Sequence, residues 1–325
     1  MSSFRRTLSL AHRCVSNYFQ RLPFCVSFEI TYHCNARCRH CHLGGAIKEE
    51  RAPVERFAAI TRELRPVVVQ ISGGEPLLHP NLIPIIRATR RTNRSPYIVI
   101  TTNGSLLSRQ KYLELRQEGV DEFSLSYDYP DERHDEFRRI NGLHRRIRDL
   151  MDGFGPNDHR AITLACVIQN DNFKDLITMA DQARRWGVRI SFSTYTWMRT
   201  KKKDYMVPRE RLPELREMIG RVLAYKRKYR NIYTSDYILN RIAEFFEHET
   251  IPNCRAGESM LVVNPDGTLS PCGLVITRYH SFKDIKEDFV KNNKCTFCYT
   301  ASRANAERPT RYLIKDAFVA LPKRA

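Results

Sequence analysis

Between residues 25 and 195, short apolar runs rich in β-branched residues alternate with longer stretches in which apolar positions recur every three or four residues. The short runs, 25–30, 67–72, 97–101, 122–126, 161–168 and 189–195, predict six strands. The longer stretches, 54–65, 81–92, 109–118, 131–140 and 173–186, predict helices, two of them stopped by Gly119 and Gly187. Regular alternation of this kind implies parallel βα units in an α/β fold, as an open doubly wound sheet or a partial barrel. In either, chemistry gathers at the carboxyl ends of the strands. The distinctive residues fall there: Cys34 to Cys41 after the first strand, Gly73 to Pro76 after the second, Asn103 after the third and Asp128 after the fourth.

Outside this region the pattern changes twice. Residues 1–22 place Phe4, Leu8, Ala11, Val15, Tyr18, Phe19 and Leu22 on one face of a helix, with Arg5, Arg6, Arg13 and Arg21 elsewhere on the wheel. Such a helix either packs on its own domain or lies on an anionic membrane. Residues 201–250 read as a charged helical connector, and from residue 251 Pro, Gly, Asn and Cys become frequent. There, 259–264 and 268–271, joined by Pro265, Asp266 and Gly267, predict a β-hairpin. The expected organisation is an N-terminal helix (1–22), an α/β domain (23–200), the connector (201–250) and a small cysteine-bearing domain (251–325).

Charge adds a question of partners. The 325 residues carry 54 Lys and Arg against 36 Asp and Glu, a formal charge of +18. That surplus suits nucleic acid, an anionic membrane or an acidic substrate, and equally a basic surface with no dedicated partner. Arg145, Arg146 and Arg148 cluster, as does the stretch from Arg199 to Lys203, but no aromatic stacking platform is interleaved with them, which argues against nucleic acid. His12 and Arg13 break the apolar stretch after Arg5 and Arg6, so no secretory signal is read, and no run is long enough to span a bilayer. A cytoplasmic, reducing setting is expected, in which the ten cysteines point to metal or catalysis rather than disulfides.

Two cysteine sets stand out. Cys34, Cys38 and Cys41 form C-x3-C-x2-C, which can cap three irons of a cubane and leave the fourth open. Alternatively, with His33, His40 or His42 as fourth ligand, they can bind structural zinc. Cys254, Cys272, Cys295 and Cys298 make a complete four-thiolate set around the predicted hairpin, apt for zinc or for a cluster. Cys14, Cys25 and Cys166 read as small core residues, Trp186 and Trp197 as core aromatics, and His79 and His134 as surface or capping groups.

The loop from Thr31 to Cys41, together with Ser72-Gly73-Gly74-Glu75-Pro76, resembles the cluster loop and GGEP segment of the radical S-adenosylmethionine superfamily, over residues 26–195. His40 stands where an aromatic residue commonly precedes the last cysteine. The resemblance implies a partial (β/α)6 barrel and a 4Fe-4S cluster on Cys34, Cys38 and Cys41. It also implies S-adenosylmethionine held by Gly73, Gly74, Glu75 and Pro76, with Ser126, Asn103 and Asp128 as further contacts. Cys254, Gly267, Cys272, Cys295 and Cys298 resemble the SPASM extension in its shorter twitch form, since no cysteine follows Cys298. That implies a β-hairpin/helix iron-sulfur domain with one auxiliary 4Fe-4S cluster. The implied activity is reductive cleavage of S-adenosylmethionine and hydrogen abstraction from a peptide or small molecule, leading to oxidation or cross-linking, with a ferredoxin- or flavodoxin-type reductant. The alternatives are radical modification of a membrane-associated lipid and, from another class, a zinc-stabilised binding module without radical chemistry.

Overall fold

A computed structural model describes residues 3–90, 96–155, 159–309 and 312 of the chain. Six strands run parallel in sequence order: β1 (Cys25–Thr31), β2 (Val68–Gly73), β3 (Tyr97–Thr102), β4 (Glu122–Ser126), β5 (Ile162–Ile168) and β6 (Arg189–Thr194). The helices between them are α2 (Val54–Leu64), α3 (Leu82–Thr89), α4 (Arg109–Gln117), α5 (Arg133–Arg138), α6 (Leu143–Asp152) and α7 (Leu176–Arg185); α1 (Ser3–Gln20) precedes the sheet. This is the expected α/β partial barrel. The predicted end of the second helix at Thr92 lies outside the described residues, and α5 stops early because Arg139 turns left-handed at φ 53°. No sequence expectation covered α6. Its inner face, Leu143, Ile147, Leu150 and Met151, is buried, while Arg145, Arg146 and Arg148 remain on its exposed face.

Each strand presents two different faces. Val26, Phe28, Ile30, Ile71, Ile100 and Leu125 are buried in the main core, each contributing roughly 1.5–3 kcal/mol by leaving water. Their strand neighbours, among them Ser27, Glu29, Gln70, Ser72, Thr101 and Ser124, form the half-open opposite face. A complete barrel fills that space with layers of Val, Ile and Leu; here the lumen wall is polar, and Ser27 meets Ser72 at 3.1 Å while Gln70 donates to Thr101 at 2.7 Å.

Downstream, α8 (Leu212–Tyr229) and α9 (Asp236–His248) pack together, followed by β7 (Met260–Val263), β8 (Leu269–Ser270), a helical turn α10 (Phe282–Asp284) running into a π-turn (Ile285–Val290), and α11 (Ala301–Ala306). The predicted hairpin forms around the Gly267 turn, but it does not stand apart. β7 pairs in parallel with β1, Cys25 opposite Met260 and Phe28 opposite Val263, so the sheet runs on to eight strands in the order β6-β5-β4-β3-β2-β1-β7-β8. An apolar edge such as β1 invites pairing, and β7 supplies it. At the other end, Thr194 Oγ1 donates to the Tyr299 carbonyl at 2.9 Å, so the cysteine-bearing tail spans the open side of the partial barrel.

Candidate active site

The loop after β1 carries Cys34, Cys38 and Cys41 and is fixed on every side. Glu49 accepts from the Tyr32 backbone N–H at 2.5 Å and from Thr31 Oγ1 at 2.7 Å. Gly74 N–H donates to Thr31 O and Glu75 N–H to His33 O, both at 2.7 Å, so the end of β2 lies in backbone contact with the loop. From the third strand, Asn103 Nδ2 donates to Asn35 Oδ1 at 2.9 Å. From α5, the carbonyls of Phe137 and Arg138 receive Arg39 N–H and Arg37 N–H. Glu75 is fully buried and accepts from Thr102 Oγ1, Asn103 N–H and Leu77 N–H, so its carboxylate organises the rim from within. Ser126 lies buried at the end of β4.

Asp128 is buried and bonded by Arg138 through Nε at 2.8 Å. Burial alone would raise its carboxyl; the Arg138 guanidinium beside it reverses that and holds it below the usual carboxylate range. Arg138 also reaches Cys38 Sγ at 3.7 Å. No local pattern marks Arg138, which sits in a charged stretch resembling any solvated helix face. His134, expected as a surface or capping group, is fully buried with Nδ1 accepting from Asp128 N–H; His79, expected likewise, is buried and its Nδ1 accepts from Asn81 N–H in a capping arrangement. Cys166 is core as expected, whereas Cys25 faces the lumen.

The sulfurs of the two sets share a feature. Ala36 N–H bonds Cys34 Sγ, Leu43 N–H bonds Cys41 Sγ and Leu274 N–H bonds Cys272 Sγ, each at 3.4 Å. Backbone N–H groups of Ala256, Phe297 and Thr300 favour the thiolates of Cys254, Cys295 and Cys298 electrostatically, and the Arg138 guanidinium reaches Cys38 Sγ. Donors aimed at sulfur stabilise thiolate and tune clusters bound through it. Burial pushes the Cys34 thiol up to about 11, while a hydrogen bond shared with Cys254 lowers Cys295 and raises its partner. A metal binding here would have to displace those protons.

The four tail cysteines line a cavity of about 230 Å³ that continues into the lumen past Ser27, Gln70 and Glu29. Beside Cys298 lies Arg303, the largest fully buried side chain; it donates to the Cys298 carbonyl at 2.7 Å, to Pro252 O at 3.0 Å and to Glu307 at 2.7 Å. Between the two cysteine sets, Glu29 meets Arg199 at 3.4 Å, both against Gly273. Of the basic stretch 199–203, Lys203 is paired with Glu249, and Lys202 joins Arg37, Arg39 and Arg139 around a polar recess over Cys38 and Cys41. Sequence reasoning missed Arg303 and Glu29 altogether.

Fold and site together define an enzyme class: a parallel partial barrel with a three-cysteine loop on its carboxyl rim and a four-cysteine set along its open side. Residues 28–183 match the family model of the Radical SAM superfamily, and through them the chain belongs to that superfamily, whose members are enzymes. The chain is similar to the antilisterial bacteriocin subtilosin biosynthesis protein AlbA of Bacillus subtilis, 24% identical over 320 residues, which cover 93% of this chain and 66% of that protein. It is similar to a probable GTP 3',8-cyclase of Pyrococcus abyssi, 27% identical over 62% of this chain and 68% of that one. Among solved structures, Streptococcus suis SuiB bound to precursor peptide SuiA shares the fold at a TM-score of 0.65 and 18% identity, covering 86% of this chain and 68% of SuiB.

Proposed function

We propose that this radical SAM enzyme carries two 4Fe-4S clusters and acts on a peptide, oxidising or cross-linking an unactivated carbon. The observation that carries the reading is the set of donors aimed at cysteine sulfurs in both groups, the tail group lining the lumen and Cys38 and Cys41 lying under the basic recess. Cys34, Cys38 and Cys41 would hold the first cluster, and Cys254, Cys272, Cys295 and Cys298 would fully ligate the auxiliary one. Once bound, the first cluster with S-adenosylmethionine supplies a 5'-deoxyadenosyl radical by one-electron reductive cleavage.

The chain's own residues bind and orient. Gly73, Gly74 and Pro76 bring bare backbone to the rim for the cofactor's methionine end, with Glu75 bracing that backbone; Asn103, Ser126 and Asp128 complete the rim from the third and fourth strands. The polar lumen and its Glu29–Arg199 pair suit a chain of amide groups, and the likeness to AlbA and to peptide-bound SuiB supports a peptide. A small-molecule substrate is the second reading, favoured by the likeness to the GTP 3',8-cyclase. Arg37, Arg39, Arg139 and Lys202 over the first cysteine loop suit an acidic one-electron donor of ferredoxin or flavodoxin type.

Anaerobically reconstituted protein with dithionite is expected to convert S-adenosylmethionine to 5'-deoxyadenosine, and the C34A/C38A/C41A variant to form none. Wild-type protein that loads about eight irons yet yields no 5'-deoxyadenosine would sink the reading.

A further inference from the structure

The orientation of α1 is the reverse of what packing on its own domain requires. The helix is held to the body by polar groups: Asn17, buried, donates through Nδ2 to Pro23 O at 3.1 Å and to Arg65 O at 3.0 Å, and Arg13 donates to Pro66 O at 3.1 Å. Its apolar stripe points outward, with Val15 58%, Tyr18 73% and Phe19 77% exposed and Ala11 exposed one turn before. Large apolar side chains displayed together on a surface mark an interaction site. Asn17 fixes which face is inward, so the display is built into the fold rather than left by a loose end.

The charge around the stripe selects the occupant. Arg5, Arg6 and Arg21 lie in or beside the helix, Arg13 being turned toward the body, and no Asp or Glu precedes Glu29. Exposed Arg62 and Arg65 continue the basic surface onto α2, with one exposed carboxylate, Glu63, between them. A second copy of the chain would bring this positive surplus against itself, whereas an anionic lipid surface meets both the apolar stripe and the surrounding arginines. From this we infer that α1 is a membrane-surface anchor, lying in the interface of an anionic bilayer with Val15, Tyr18 and Phe19 inserted among the headgroups. Among the described residues no helix is long and apolar enough to cross a membrane; the contact is peripheral. It holds the rest of the enzyme at the surface whatever its substrate.

The test uses the full chain, without any need for clusters. Co-sedimentation with vesicles of phosphatidylcholine containing roughly one third phosphatidylglycerol is expected to recover the protein with lipid, and vesicles of pure phosphatidylcholine to recover much less. Raising salt to about 0.5 M should release part of it, since the Debye length shrinks to a few ångströms. Tyr18→Glu/Phe19→Glu should lower apparent affinity by roughly tenfold or more, because two anchoring rings are replaced by anions at an anionic surface. Both side chains are solvent-facing, so the melting temperature should not move; Phe19→Ser, expected to weaken binding less, provides a second variant. Equal recovery with and without anionic vesicles would overturn the anchor. So would a concentration-dependent dimer in light scattering that Phe19→Ser abolishes, which would make a second copy the occupant.

Discussion

Gly74→Ala is expected to cost at least about a hundredfold in S-adenosylmethionine affinity while leaving a folded protein, as read by equilibrium binding and circular dichroism. A methyl group at Gly74 would lie 2.0 Å from the His33 carbonyl oxygen, 2.5 Å from its carbon and 2.7 Å from Tyr32 O. All three are backbone atoms, so no rotamer change relieves the clash. The end of β2 must therefore move away from the cysteine loop by more than an ångström, breaking the Gly74–Thr31 and Glu75–His33 hydrogen bonds and shifting the segment that Glu75 anchors beside Cys34. Gly73 is bound twice over, by φ 129° and by Thr31 O at 2.1 Å. Stability should fall by roughly 2–3 kcal/mol, the upper end of ordinary single substitutions. Gly220→Ala is the control. It lies within α8 with open space around it, and should stabilise the chain by roughly 1 kcal/mol with no change in cofactor binding. Equal binding by wild type and Gly74→Ala would mean that the rim does not hold the cofactor.

Much of this frame is readable from local pattern. The six parallel strands appear within a residue or two of their expected bounds because Val26, Phe28 and Ile30, and their counterparts in the other strands, alternate with small polar residues. The cysteine loop and the Gly73–Pro76 segment are legible for the same reason, as each is a short run whose chemistry depends on spacing. What escaped depends on contacts between distant segments. α6 went unseen because its three arginines dominate the sequence and its buried face is only four residues wide. The parallel pairing of β7 with β1 joins two short segments far apart in the chain, with no local signal. The facing of α1 turns on Asn17, one polar residue on a wheel where the apolar stripe is the louder feature. Nothing in the local pattern marks Arg138 or Arg303; only the fold encloses them, each with a carboxylate and a cysteine.

On the two-cluster reading proposed above, Arg303→Met should strip the auxiliary cluster and spare the first, taking the iron content of anaerobically reconstituted protein from about eight to about four per chain. The guanidinium is fully buried and spans the two ends of the four-cysteine set: Ile251 and Pro252 carbonyls ahead of Cys254, the Cys298 carbonyl at the other end, and Glu307 behind. Removing it leaves three carbonyls without that donor and a Glu307 carboxylate that is 8% exposed without its cation. Breaking a buried pair from one side costs about 3–5 kcal/mol, because the remaining charge is stranded. That strain falls on the segments that hold Cys254 and Cys298 together. The first cysteine loop is fixed by Glu49, Gly74 and Arg138, none of which Arg303 touches, so its irons stay. Adding Glu307→Gln to Arg303→Met removes the stranded charge and should recover part of the lost stability, though not the bridge between Ile251 and Cys298. Arg303→Lys keeps the charge but has no planar fork to reach three carbonyls and a carboxylate at once, and should load an intermediate amount of iron. The cationic neighbour also matters once a cluster is bound, since a buried positive charge favours the reduced, more negative state. The auxiliary potential in Arg303→Lys, where some cluster survives, should therefore lie close to wild type even as occupancy falls. Full iron loading of Arg303→Met with unchanged stability would show that the buried arginine neither braces nor balances the site.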